Sequence, residues 1–176
     1  MPKSSKEQVE LDERKVLREL QKNSKESIDS IAKNCGFSRQ KVWRVVKRLE
    51  KNKTIWGYGA IIDDEKINLG QYVVMVKRSI KPFDEKFQNR VCTEKIDEYV
   101  PDAQITIEDI LWVNGKYDWI FIFTSPGLKE TKKFCEKLMV MFGEYVESYD
   151  ILETIIPIRK KRIKNPQAKQ PEKLNL

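Results

Sequence analysis

Histidine is absent from all 176 residues. That removes the commonest general base, the commonest metal ligand and every catalytic triad built on imidazole. Cysteine is scarce: Cys35, Cys92 and Cys135 are odd in number and far apart. Neither a disulfide framework nor a CxxC metal or redox pair is suggested, and such cysteines read as small buried hydrophobes. No apolar run approaches the roughly 20 residues that a bilayer span needs, and the opening MPKSSKEQVELDERK offers no signal-peptide core. These absences predict a cytoplasmic protein with no membrane partner, no metal and no resident cofactor, and they weigh against an enzyme.

What is present is a globular composition, 40% hydrophobic and 35% charged, too apolar for a disordered chain. The net charge of +7 is unevenly spread. Residues 1–57 hold 15 Lys and Arg against 8 Asp and Glu, residues 58–156 hold 12 against 18, and residues 157–176 hold 7 against 1. A basic front, an acidic middle and a basic end imply that only the ends face a polyanion.

The front reads as three short helices. Asp12 is a candidate N-cap for the first, with Val16, Leu17 and Leu20 on one face. Ser27 caps a second, IDSIAKN, with Ile28, Ile31 and Ala32 inward; Gly36 suits its left-handed end. Ser38 caps a third, RQKVWRVVKRLEKN. A short capped helix, a tight glycine turn and a longer capped helix form the helix-turn-helix pattern. After Lys53, TIWGYGAIID is β-branched, aromatic and glycine-punctuated, and predicts a wing strand leaving the helical domain. Asp63 to Gly70 would be a linker.

From Gln71 the pattern alternates: strand QYVVMVKRSI; helix DEKFQNRVCTEKIDEYV with Phe87, Val91, Ile96 and Val100 on one side; strands ITIEDILWVN and YDWIFIFT joined at Asn114-Gly115; helix LKETKKFCEKLMVMFG with Leu128, Phe134, Leu138 and Met141 in register; strand YVESYDILETIIPI. The order βαββαβ is the ferredoxin-like arrangement, an antiparallel sheet with two helices on one face. Trp112, Trp119, Phe121 and Phe123 exceed what one sheet face needs, which predicts that the uncovered face is buried against a second subunit. Residues after Pro157 carry charge, two prolines and no period, and read as an unstructured basic tail. The expected organisation is an α+β chain: 9–57 a winged helix-turn-helix, 58–70 strand and linker, 71–157 a dimerisation domain, 158–176 a flexible tail.

On the third helix Val42, Val45, Val46 and Leu49 share one face, so Gln40, Trp43, Arg44 and Lys47 face outward, flanked by Lys41 and Arg48. Gln pairs with an adenine edge and Arg with a guanine edge, while Lys mostly meets phosphate. Ser38 and Arg39 lie where helix dipole and free amides favour phosphate. Trp43 either touches a thymine methyl or packs on a neighbouring helix or the wing. The cluster Arg159, Lys160, Lys161 and Arg162 either adds phosphate contacts or is simply solvated.

The run LDERKVLRELQKNSKESIDSIAKNCGFSRQKVWRVVKRLEKNKTIWGYGAIID, followed by Leu69-Gly70 and the GKYDW at Gly115 to Trp119, resembles the Lrp/AsnC family of leucine- and asparagine-responsive regulators over about residues 9–156. The resemblance implies a winged helix-turn-helix joined to a βαββαβ regulatory domain, double-stranded DNA as partner, homodimers that often assemble into tetramers, octamers or larger rings, and an amino-acid or similar small effector. It places that effector at the turn of Asn114, Gly115, Lys116, Tyr117 and Asp118. The chain departs from the family pattern at Asn114, where Thr or Ser is frequent, and at Lys53-Thr54, where a glycine usually precedes the wing. Two other readings stand beside it: an architectural binder with weak sequence preference, and a relative of the haem-biosynthetic decarboxylases, which share this two-domain order but look histidine-dependent.

Overall fold

The computed structural model describes residues 5–85, 87–89 and 105–168. They form two compact units: one runs up to Ile61 and resumes from Pro157, the other spans Ile62–Ile156.

The first unit is helical. Helix α1 spans Lys6–Lys22, α2 Ile28–Cys35 and α3 Arg39–Lys51. Three serine caps set their starts: Ser5, Ser27 and Ser38 each accept from the backbone N–H three residues on, at 3.2, 3.0 and 3.2 Å. The first cap corrects the expectation at Asp12, because Ser5 supplies an earlier cap and the helix runs through. Asp12 instead sits mid-helix and buried, accepting from Gln8 Nε2 at 3.0 Å and pairing with Lys41 at 2.7 Å. Gly36 closes α2 in the left-handed region at φ 68°, its N–H reaching the carbonyls of Ala32 and Lys33. The core between the helices is Val16, Ile31, Ala32, Val42, Val45, Val46 and Leu49, with Leu17, Leu20, Ile28 and Ile55 against it.

Beyond α3, Lys53 takes φ 61°, a left-handed position where the family pattern has glycine. The expected wing strand over TIWGYGAIID is not formed: residues 56–63 carry no strand pairing. Tyr58 nevertheless ties this segment to α3, its hydroxyl donating to Glu50 Oε1 at 3.1 Å. Of the unstructured tail expected over 158–176, residues 169–176 lie outside the described ones, and the part before them is structured. Strands β5 (Arg159–Lys160) and β6 (Ile163–Lys164) pair as a hairpin. Asn165 locks its base, its backbone N–H donating to Ile158 O at 3.0 Å and Nδ2 to Pro157 O at 2.9 Å.

The second unit is an antiparallel sheet of β1 (Gly70–Arg78), β2 (Thr106–Trp112), β3 (Trp119–Ser125) and β4 (Val146–Glu153), in spatial order β2-β3-β1-β4. Helix α4 (Leu128–Phe142) covers one face. The strand order is that of a βαββαβ fold. The helix expected over 84–100 lies mostly outside the described residues, Val91, Cys92, Ile96 and Val100 included. Within them, Phe87 is buried and its backbone N–H donates to Asp84 Oδ1 at 2.7 Å. Asp63 to Gly70 is not plain linker, since Asp64–Ile67 form a 3-10 turn.

Pairing assigns the two sheet faces. Tyr72 lies opposite Phe123, Val74 opposite Phe121, Val76 opposite Trp119, and Trp119 opposite Trp112. The first six are buried with Phe134, Cys135 and Leu138 of α4. Trp112 belongs to the same side, meeting Trp119 and Phe83 edge-on. Trp119, Phe121 and Phe123 therefore serve the helix-covered core, while Trp112 lies at the edge of the same side and is 56% exposed, so the four do not point to a second covered face. The other face is mixed: Val73 lies opposite Ile122 and Leu152, Met75 opposite Ile120 and Asp150, Ile120 opposite Leu111, and Ile122 opposite Asp109. On α4, Leu128 is exposed and Met141 only half-buried; Thr131, Phe134, Cys135, Leu138 and Phe142 carry the buried face. Burial pushes the Cys135 thiol up to about 11, so it stays a neutral packing group.

Candidate nucleic-acid interface

Helix α3 has two chemically opposite faces. Val42, Val45, Val46 and Leu49 are 0–8% exposed against α1 and α2. At 100° per residue this turns Gln40, Trp43, Arg44 and Lys47 outward, and Trp43 is 55% exposed. It gives the outward face a large apolar group that a base edge could cover.

The cations fall into two sets. Lys41 and Arg48, read as flanking the contact face, are turned onto α1. Lys41 pairs with buried Asp12 and stands 3.9 Å from the Phe37 ring centroid, and Arg48 Nε donates to Glu13 Oε1 at 2.7 Å. The ion pairs hold α3 against α1 and remove these two side chains from the outward face. Burial acts to raise Asp12, but hydrogen bonds from Lys41 and Gln8 and the charges of Lys41 and Lys15 outweigh it, leaving the carboxyl below its usual range.

Arg44 stays outward, its Nε donating back to Gln40 O at 3.3 Å. Lys47 pairs with Glu50 at 3.0 Å one turn along. Arg39 stands beside Asp29 at 3.3 Å, both side chains well exposed, an arrangement that is weak in water. Ile28, at the start of α2, joins Arg39, Gln40, Trp43 and Arg44 around an open cleft of about 640 Å³. Ile28 escapes sequence reasoning because its helical period marks it as core; only packing shows that it also borders the outer face. An apolar floor flanked by guanidinium and amide groups suits a base edge with its methyl group.

The loop expected to hold an effector is wider than a two-residue turn. Val113 N–H donates to Asp118 O at 2.8 Å, enclosing Asn114, Gly115, Lys116 and Tyr117. Gly115 takes φ 158°, and Asn114 is not among the positive-φ residues, so the Asn-Gly pair does not form a type I′ turn. The reason lies in Asp118. Its Oδ2 accepts from Arg78 N–H at 2.9 Å, and its own N–H donates to Val76 O at 2.9 Å. These bonds pin the loop to β1. Tyr117 reaches Asp150 Oδ2 at 2.6 Å, and Lys116 lies over the Tyr117 ring at 5.2 Å.

Comparison with known proteins matches residues 13–55 to the family model described as winged helix-turn-helix DNA-binding. The leucine-responsive regulatory protein of Haemophilus influenzae is 26% identical over 120 residues, 68% of each chain. Among solved structures, an AsnC family transcriptional regulator from Agrobacterium tumefaciens superposes with a TM-score of 0.64 over 90% of this chain and 98% of that one, at 18% identity. A transcriptional regulator of Neisseria meningitidis solved with L-Met gives 0.63 over 90% and 94%, at 15% identity. At those identities the two structures speak to the fold, which they share over 90% of this chain.

The first unit, then, is a winged helix-turn-helix domain that binds DNA. Joined to this sheet unit, it makes the chain a DNA-binding transcriptional regulator, similar in sequence to a leucine-responsive regulatory protein and in fold to an AsnC family regulator. No helix among the described residues is long and apolar enough to cross a membrane.

Proposed function

We propose that the chain acts in the cytoplasm as a homodimer or higher oligomer, setting two α3 helices in successive major grooves of a roughly palindromic promoter site. Half-sites would lie one helical turn or a multiple apart. One observation carries this reading: α3 buries its valines and leucine while Gln40, Trp43 and Arg44 stand outward around one cleft. In this reading Arg44 takes a guanine edge, Gln40 an adenine edge, and Trp43 with Ile28 a thymine methyl. Ser38 and Arg39 meet phosphate at the helix N-terminus. The aliphatic patch of Val73, Met75, Ile120 and Ile122 at the centre of the second sheet face supports dimerisation through the second unit. The loop Asn114 to Asp118 is the proposed effector site, with an amino acid as the ligand class; Asp118 shapes the loop, and Lys116 and Asn114 offer groups for a carboxylate.

Selection from a randomised duplex pool tests this, followed by affinity for the winner and for scrambled DNA across a salt series, with and without pooled amino acids. A palindromic consensus favoured about a thousandfold or more over scrambled DNA is expected, with a shift on adding the effector. A flat preference with a steep salt slope would replace this reading with an architectural one.

A further inference from the structure

The hairpin at the chain end packs into the helical unit although it lies more than a hundred residues away in sequence. Its two-residue loop is Lys161-Arg162, at φ 42° and 74°. Two positive φ values are what a type I′ turn demands, and Asn-Gly satisfies them with little strain. A lysine and an arginine here carry backbone strain that the turn itself does not require. Residues 157–168 hold five Lys and Arg, at 159, 160, 161, 162 and 164, and no acid. Arg159, Lys161, Arg162 and Lys164 are all exposed.

Packing sets where this charge points. The tip residues Lys161, Arg162 and Ile163 line one cleft with Asn23, Ser24 and Lys25 of the α1–α2 turn and with the segment after α3. Arg162 also donates to Gln21 at the end of α1. Four residues past Ser24, the same turn delivers Ile28 to the cleft of Gln40, Trp43 and Arg44. One short turn thus borders the hairpin on one side and the outward face of α3 on the other.

We propose that this hairpin is a second DNA-contacting element, a wing contributed from the far end of the chain, which grips phosphates flanking the major groove that α3 enters. It occupies the role left open by residues 56–63, which form no strand. The proposal rests on the DNA-binding reading of the helical unit. Its partner is the double-helix backbone, recognised by charge and not by sequence.

The test uses the full chain and two duplexes of equal length, one bearing the selected site and one scrambled, titrated between about 50 and 200 mM salt. The variant Arg159→Gln/Lys161→Gln/Arg162→Gln/Lys164→Gln should weaken binding to both duplexes by a similar factor, about tenfold or more at the middle of that range. Its log–log salt slope should fall by about 2 to 4, near 0.9 for each phosphate that the variant no longer neutralises. A second variant, Lys161→Asn/Arg162→Gly, separates charge from folding: it should melt at the same or a higher temperature and still bind both duplexes several-fold more weakly. Unchanged affinity and slope in either variant overturns the proposal, as does a loss confined to the selected duplex. Wild type that binds neither duplex removes the DNA-binding reading itself; wild type that discriminates, with variants that match it, removes only the wing.

Discussion

Residues 1–61 with 157–176 carry 22 Lys and Arg against 9 Asp and Glu, and residues 62–156 carry 12 against 18. The difference lies as much in where acids stand as in how many there are. In the helical unit Asp12 and Glu13 lie along one side of α1 and hold Lys41 and Arg48. The acids there draw Lys41 and Arg48 back onto α1, leaving Gln40, Trp43 and Arg44 outward. In the sheet unit Asp118 satisfies a backbone donor on β1 and Glu147 pairs across to Lys77 at 2.8 Å. Its other face mixes the aliphatics Val73, Met75, Ile120 and Ile122 with Asp109 and Asp150, which suits another protein surface and not a polyanion. Charge thus marks which unit meets DNA, and the pairing pattern leaves outward the residues proposed to do so.

The largest expected effects come from the cores that separate the units. Leu49→Ala, at a side chain 1% exposed, should cost about 2–5 kcal/mol, and Phe123→Ala in the sheet about 3–5 kcal/mol. Amide exchange should speed up in α1 to α3 for the first and in β1 to β4 for the second. If each change loosened both units equally, the two cores would not be independent. Next comes Arg44→Ala, expected to lose about 1–3 kcal/mol of binding and to relax preference at one base pair. Uniform weakening across all sequences would make Arg44 a phosphate-binding residue instead.

Asp12→Asn sharpens the comparison from inside the helical unit, removing one partner of a charge pair whose acid is 5% exposed. A loss of about 1–3 kcal/mol is expected. Because the folded carboxyl lies below its ordinary value, its contribution is present above the unfolded value, near 4, and is lost as pH falls through the folded one. The gap between wild type and Asp12→Asn in urea melts should therefore be full at neutral pH and shrink below about pH 4. A gap independent of pH would leave Asp12 a mere hydrogen-bond acceptor.

Much of this arrangement was legible in the chain itself. Ser27, Gly36 and Ser38 are local signals, each acting within four residues, and the structure places them where local rules put them. The alternating strands were readable for the same reason. What escaped depends on distant partners. Asp12 reads as a cap until Lys41, 29 residues on, is seen to neutralise it. Four aromatics suggest two covered faces until pairing puts Trp112, Trp119, Phe121 and Phe123 on one. The hairpin of residues 159–164 lacks any period or turn signal, because its loop residues are ones that local rules disfavour.

The smallest expected effect bears on that last contrast. Gly36 and the Lys161-Arg162 pair both adopt left-handed backbone in the same unit, one with the residue suited to it and the other without. A β-carbon at Gly36 would meet nothing within 4 Å, so Gly36→Ala should cost only the conformational term, about 1–2 kcal/mol. Gly36→Asn should cost less, since asparagine tolerates this region. Equal losses for both would point to a steric clash and not to backbone strain. If alanine costs more than asparagine, the scale of left-handed strain in this unit is set, and the same scale gives the gain in melting temperature to expect when Lys161-Arg162 is replaced by Asn-Gly. A gain in stability coupled to a loss of DNA affinity would show that the hairpin keeps its strained cations for binding and not for folding.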